Sequence, residues 1–290
     1  IQTAIDSSSD GDSVLVAAGS YVENINFGGK NLKLVGADRE TTIIDGNQNG
    51  GVVTFESGED STSVFSGFTL TNAGSSNYGG ILCENSSPII SNCIISNNST
   101  LDNGGGVYIS SSNPKIINVE IINNNAVNDG GGIWGIYSSA YLENVSVINN
   151  TSGSLGGGIY FISGDPYLLN VTVSGNTSST QGGGIRFAGD NSNPSLVNVT
   201  ITGNTSAVGG GIYNNNLSFP VLVNCILWNN IPQEIYTAGG GEVVATYSNI
   251  QGGLMGEGNI DSDPLFCNPD SGDYTLAENS PCRDTGWNIE

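Results

Sequence analysis

The chain has 290 residues, of which 11% are charged, 37% apolar and 43 are glycine; six Lys plus Arg stand against 27 Asp plus Glu, a net charge of −21. That apolar share supports a packed core and excludes disorder, while the negative charge excludes nucleic acid and anionic membranes as partners. No run approaches the roughly 18 apolar residues of a membrane-spanning helix, and the absence of His removes His-based acid–base catalysis, a Ser-His-Asp triad and the commonest metal ligand.

The first residue is Ile1, with neither Met nor a signal-peptide pattern, which leaves two readings open: a removed leader, or a piece of a longer protein. Residues 1–11 read as an N-terminal cap, a short amphipathic helix with Ile1 and Ile5 on one face, shielding an otherwise open sheet edge. From Ser13 the text alternates apolar and polar residues between turn residues, which is the strand signal. Residues 12–250 are expected to form coils and 251–290 a C-terminal cap, all one domain.

A repeat sets the architecture. Glycine doublets or triplets followed by an apolar residue end at Gly80, Gly106, Gly132, Gly158, Gly184 and Gly211, in steps of 26, 26, 26, 26 and 27 residues. Pro88, Pro114, Pro166, Pro194 and Pro220 follow in phase, with Ala140 standing in once. One Asn column runs through Asn92, Asn118, Asn144, Asn170, Asn198 and Asn224; a second runs through Asn98, Asn124, Asn150, Asn176, Asn204 and Asn230, with Asn47 and Asn72 extending it backwards. Three short strands per unit predict an all-β parallel solenoid of about nine coils, each stacked about 4.8 Å above the last, in a rod about 45 Å long. Predicted inward columns run from Ile90, from Cys93 and from Ile95, repeating with the unit. The Asn columns suit turns, since Asn tolerates the left-handed conformation and stacked amides bond to each other. The Gly column suits a corner that needs positive φ or close backbone approach. Near the C-terminus Cys267 and Cys282 flank a polar loop and are the one plausible disulfide among five cysteines.

Outward positions carry the functional candidates. Leu82, Tyr108, Trp134, Tyr160, Arg186 and Tyr213 share one phase, giving a stripe expected to face outward and to lie against sugar rings or a protein partner. Tyr141 and Tyr167 form a shorter outward pair. The weak catalytic candidates are Arg186 with Asp165 and Asp190, the two acids that nearly align in neighbouring coils. Acidic groups at Glu56, Glu59 and Asp60, and at Asp261, Asp263, Asp270 and Asp273 in the tail, make Ca²⁺ the one cofactor to consider, although nothing matches a full EF-hand loop.

These residues resemble a known group. The opening, IQTAIDSSSDGDSVLVAAGSYVENINFGGKNLKLVG, resembles the first coils of right-handed parallel β-helices of the pectate-lyase-like superfamily. The Gly156–Ile159 and Val173–Asn176 segments resemble the repeats of polymorphic outer-membrane proteins, with Gly for Ala and Ile, Val or Leu for Phe. The tail NIDSDPLFCNPDSGDYTLAENSPCRDTGW resembles the closing segment of secreted bacterial β-helix proteins. The resemblance implies a right-handed β-helix at the cell surface or outside the cell, in a superfamily that mixes lyases, hydrolases, adhesins and fibres. Lyases of that kind use a Lys or Arg base beside Ca²⁺, and hydrolases use paired carboxylates; here the hydrolase Asp-Asp and His-Gly signatures are missing. The expected function is therefore a non-catalytic surface module for adhesion or assembly that binds carbohydrate along the aromatic stripe, with a Ca²⁺-assisted polysaccharide lyase or glycoside hydrolase as the alternative. Expected partners are polysaccharide, other surface proteins, or further copies associating end to end or laterally.

Overall fold

The computed structural model describes residues 1–74, 77–189, 192–283 and 286. The chain winds into a parallel β-solenoid whose three long sheets hold ten, ten and nine strands. Strands in the same sheet are one coil apart in sequence and pair in parallel, so sequence phase becomes vertical position. Ile90, Ile116, Leu142, Leu168, Leu196 and Leu222 are direct register partners in the first sheet and have no exposed surface. Ile95, Ile121, Val147, Val173, Ile201 and Leu227 form the matching file in the second sheet, and the Cys93-to-Cys225 file between them is at most 1% exposed. Stacking like on like makes each coil's floor the ceiling of the next, a one-dimensional core. An α-helix over Gln2–Ser7 closes the first coil with Ile5 buried beneath it. The last coil strands are Val244–Thr246 and Asn249–Ile250, after which an antiparallel pair, Phe266–Asn268 with Asp273–Leu276, belongs to the C-terminal cap. Among the described residues no helix is long and apolar enough to cross a membrane.

The two Asn columns do different work. Asn92, Asn118, Asn144, Asn170, Asn198 and Asn224 have φ between +51° and +55° and form an outer amide ladder, each Nδ2 from Asn118 onward reaching the Oδ1 one coil back while Asn92 Nδ2 reaches Ser66 Oγ. The second column is buried: Nδ2 of Asn98, Asn124, Asn150, Asn176 and Asn204 donates to Oδ1 of the next rung at 2.9–3.0 Å. Here the left-handed residue is the preceding one, at Asn97, Asn123, Asn149, Gly175, Gly203 and Asn229. Asn72 aligns with Asn97 rather than with the buried ladder, whose place in that coil is taken by buried Ala73 donating its N–H to Asn98 Oδ1. At the other end both Asn230 donors terminate on the buried carboxylate of Glu234.

Each central coil also adds a fourth short strand, which periodicity in threes did not predict: Ser99–Thr100, Asn125–Ala126, Thr151–Ser152 and Thr177–Ser178 pair as a small sheet of their own. The turn after it delivers the glycines. In the central coils positive φ falls on the first glycine of the triplet, as at Gly130 (+63°), while the last, as at Gly106, is there for contact: a Cβ would lie 2.6 Å from the Gly132 carbonyl oxygen.

Candidate functional site

The predicted stripe forms as a continuous stack on the third sheet. Leu82, Tyr108, Trp134, Tyr160, Arg186 and Tyr213 are successive register partners, and Tyr236 extends the file by one rung. Tyr108 and Trp134 rings lie 4.6 Å apart, and the Arg186 guanidinium sits 4.5 Å from the Tyr160 ring and 5.4 Å from that of Tyr213. The stripe points away from the core, yet it is not an open platform: Trp134, Tyr160, Arg186 and Tyr213 are only 5–8% exposed. The glycine turns that follow the short fourth strands fold back onto it, so closely that a Cβ on Gly130 would lie 2.6 Å from Trp134 Cβ. Leu155 packs into the same cluster. The expectation of an outward sugar-stacking face is corrected for these four side chains, because stack neighbours, Leu155 and the adjoining turn leave almost none of their surface exposed.

The covering is incomplete at Tyr108, which is half-buried although the Gly104 turn also lies against it. The fourth-strand sheet begins only at Ser99–Thr100, and below it the surface dips into a cleft of about 310 Å³ lined by Glu56, Asn77, Tyr78, Leu82, Glu84, Asp102 and Tyr108. Glu56 and Glu84 follow the paired ends Phe55 and Cys83 of strands one coil apart, so their carboxylates rise from one wall on consecutive coils. Asn26 Nδ2 donates to Glu56 Oε1 at 2.9 Å, and Asn128 Nδ2 donates to Asp102 Oδ1 at 2.8 Å. The hydroxyls of Tyr78 and Thr54 share a hydrogen bond of 2.7 Å. Burial, reinforced by the charges of Glu84 and Asp102, pushes the Tyr108 hydroxyl above its ordinary range, so it remains protonated and able to donate at neutral pH. Two tyrosines thus face three carboxylates, and the lining contains no cation.

Of the predicted trio of Arg186, Asp165 and Asp190, the two described members, Arg186 and Asp165, are not brought together. Arg186 is held by the two tyrosine faces and by Gln181 Oε1, 3.3 Å from Nε, and makes no ion pair among the described residues. Asp165 belongs to an outer turn, where Oδ1 accepts the Asn193 N–H at 2.6 Å, while Asp190 lies outside the described residues. The acid whose charge does reach Arg186 is Asp129, half-buried, with burial raising its carboxyl and Oδ1 accepting the Leu155 N–H at 3.0 Å. The Cys267–Cys282 bridge is not formed either: both are free thiols, Cys267 exposed and Cys282 accepting a bond from Asn249 Nδ2 at 3.0 Å. Among the described residues no three His, Cys, Asp or Glu side chains converge in a manner that could hold a metal ion.

Sequence reading missed the cleft because its parts are out of phase. Val52 occupies the position that glycine holds at Gly80, so counting from the last glycine of each unit hid the alignment of Glu56 with Glu84. Tyr78 stands where later coils carry the first glycine of the triplet, as at Gly104, and the local signal was the cluster of Tyr, Glu and Asp around the first regular unit.

In overall winding the chain is similar to a pectin methylesterase from carrot, with 14% identity over 84% of this chain and 83% of the other and a TM-score of 0.46. It is also similar to two pectin methylesterase structures in complex with hexasaccharides, each at 11% identity over 96% of this chain and 94% of the other, with TM-scores of 0.40 and 0.43. No curated protein matches it in sequence. The family model for the right-handed β-helix region matches residues 37–198, more than half of the chain. With its uninterrupted parallel coils, the chain belongs to the right-handed β-helix family.

Proposed function

We propose that this chain is a carbohydrate-binding β-helix module of an extracellular or cell-surface protein, holding one or two sugar rings in the Tyr78–Tyr108 cleft without turning them over. The observation that carries this reading is the convergence of two tyrosines with the carboxylates of Glu56, Glu84 and Asp102 in one cleft of about 310 Å³. Such a volume falls at the lower end of small-ligand sites. Aromatic side chains take the apolar faces of a pyranose, and carboxylates accept hydrogen bonds from its hydroxyls. Three carboxylates and the chain's net charge of −21 disfavour polyuronates and favour neutral sugars or sugars bearing an amine. A lyase base is not among the lining residues, since none of them is Lys or Arg.

A second reading, glycoside hydrolysis, is favoured by one feature: Glu56 and Glu84 stand on consecutive coils, an arrangement suited to an acid–base pair. Isothermal titration against neutral, amino and acidic oligosaccharides tests the first reading, with reducing-end release measured on the same samples to test the second. Binding without release, abolished by Tyr108→Ala, is the expected result. Silence across the panel with the fold intact would refute carbohydrate binding; release lost in Glu84→Gln would replace a binding module by an enzyme.

A further inference from the structure

The outer face of the first sheet carries a run of partly exposed apolar side chains. Its outward side chains alternate with the core file, and they are apolar in nearly every coil, including Ile89, Tyr141, Tyr167, Leu169, Val221 and Val244. Tyr167, Val221 and Val244 are 36%, 41% and 47% exposed, and the Tyr141 and Tyr167 rings stack at 5.7 Å. Three charged residues, Lys33, Lys115 and Glu143, stand on this face, giving it a local charge of +1 on a chain of −21. Net charge of that size opposes association of two copies except where a face is locally free of it.

We infer that this face is a lateral self-association surface, covered by the same face of a second copy running antiparallel. The two charges at its centre are self-complementary. Lys115 and Glu143 lie on adjacent coils, with Ile117 as register partner of Glu143, and no ion pair joins them to each other or to another described residue. Tyr141 Oη donates to Glu143 Oε2 at 3.1 Å, which holds the carboxylate over the sheet. A two-fold axis in the plane between the sheets, midway between these coils, sets each copy's Lys115 level with the other copy's Glu143. The facing sheets then pack about 10 Å apart with tyrosine and valine side chains interleaved. A face roughly 45 Å long and about 12 Å wide covers on the order of 1,000 Å² for the pair, the lower limit of a specific interface, so the dimer is a weak one.

This inference is independent of the cleft, which opens on the third sheet. Sedimentation velocity on the whole chain from about 1 to about 200 µM spans the range expected for such an interface. The wild type moves from monomer to dimer; Lys115→Glu and Glu143→Lys each raise the dissociation constant at least tenfold, and the combined reversal restores it. Both substituted positions are exposed or half-exposed, and unchanged circular dichroism verifies the fold of each variant. A wild type that stays monomeric at the highest concentration, single reversals without effect, or a double reversal that fails to restore assembly would each overturn the inference.

Discussion

Asn150 is the most informative side chain to remove. It is fully buried at the centre of the inner ladder. Its Nδ2 donates to Ile121 O at 2.9 Å and to Asn176 Oδ1 at 3.0 Å, while its Oδ1 accepts Asn124 N at 2.9 Å and Asn124 Nδ2 at 3.0 Å. Asn150→Ala leaves the Asn124 N–H and one Asn124 amide proton without partners in a site closed to water, and the Ile121 carbonyl keeps only its sheet bond. Each orphaned buried group costs about 1–3 kcal/mol, so losing two partners should remove about 2–6 kcal/mol, a large part of a typical domain's stability. Asn144→Ala is the control: it breaks an equivalent outer ladder, but the freed groups are exposed and the cost reduces to placing Ala at φ +53°, about 1–2 kcal/mol. Urea unfolding followed by circular dichroism measures both as shifts of midpoint. An Asn150→Ala loss no larger than that of Asn144→Ala would refute the view that the inner ladder is a desolvated structural spine.

Other outcomes follow from the same geometry. Gly106→Ala forces a methyl group to within 2.6 Å of the Gly132 carbonyl oxygen and should cost about 1–3 kcal/mol, whereas Gly58→Ala, with open space around it, should lose only what its positive φ imposes; thermal unfolding separates the two. Burial raises the Glu234 carboxyl above its ordinary range despite the Asn230 donors. The folded state therefore holds that proton more tightly than the unfolded chain. The resulting stability is complete below the ordinary glutamate range and is lost as pH rises through the raised value, and a denaturation midpoint whose slope over that window is unchanged in Glu234→Gln would contradict it. Burial pushes Cys93 and Cys225 thiols up to about 12 and raises Cys83 as well, so maleimide should label Cys267 quickly, Cys282 slowly and none of the three core cysteines until the chain unfolds. A native mass two hydrogens below the free-thiol value would contradict the unpaired Cys267 and Cys282.

Repetition made the fold legible. A side chain's place within the 26-residue unit gives its direction, and its unit number gives its height, so the files from Ile90, Cys93 and Ile95 could be written from sequence alone. Direction does not reveal cover. Trp134 and Tyr160 do point away from the core, but the turns at Gly130 and Gly156 fold over them, and that path depends on the short fourth strands, two residues each and too brief for a periodic signal. The left-handed residues beside the inner ladder were likewise hidden, because Gly175 and Gly203 replace Asn in that column. The cleft lies where the repeat is least regular, and a method that reads sites from phase is weakest at that point. Arg186 and Asp165 differ in phase, and accordingly one sits on a strand and the other in an outer turn.

Crystals soaked with the tightest-binding oligosaccharide give the most direct test of ligand recognition. Sugar density is expected between Tyr78 and Tyr108, with hydroxyls on Glu56, Glu84 or Asp102. Sugar ordered on any other face, with this cleft holding solvent alone, would contradict the assignment.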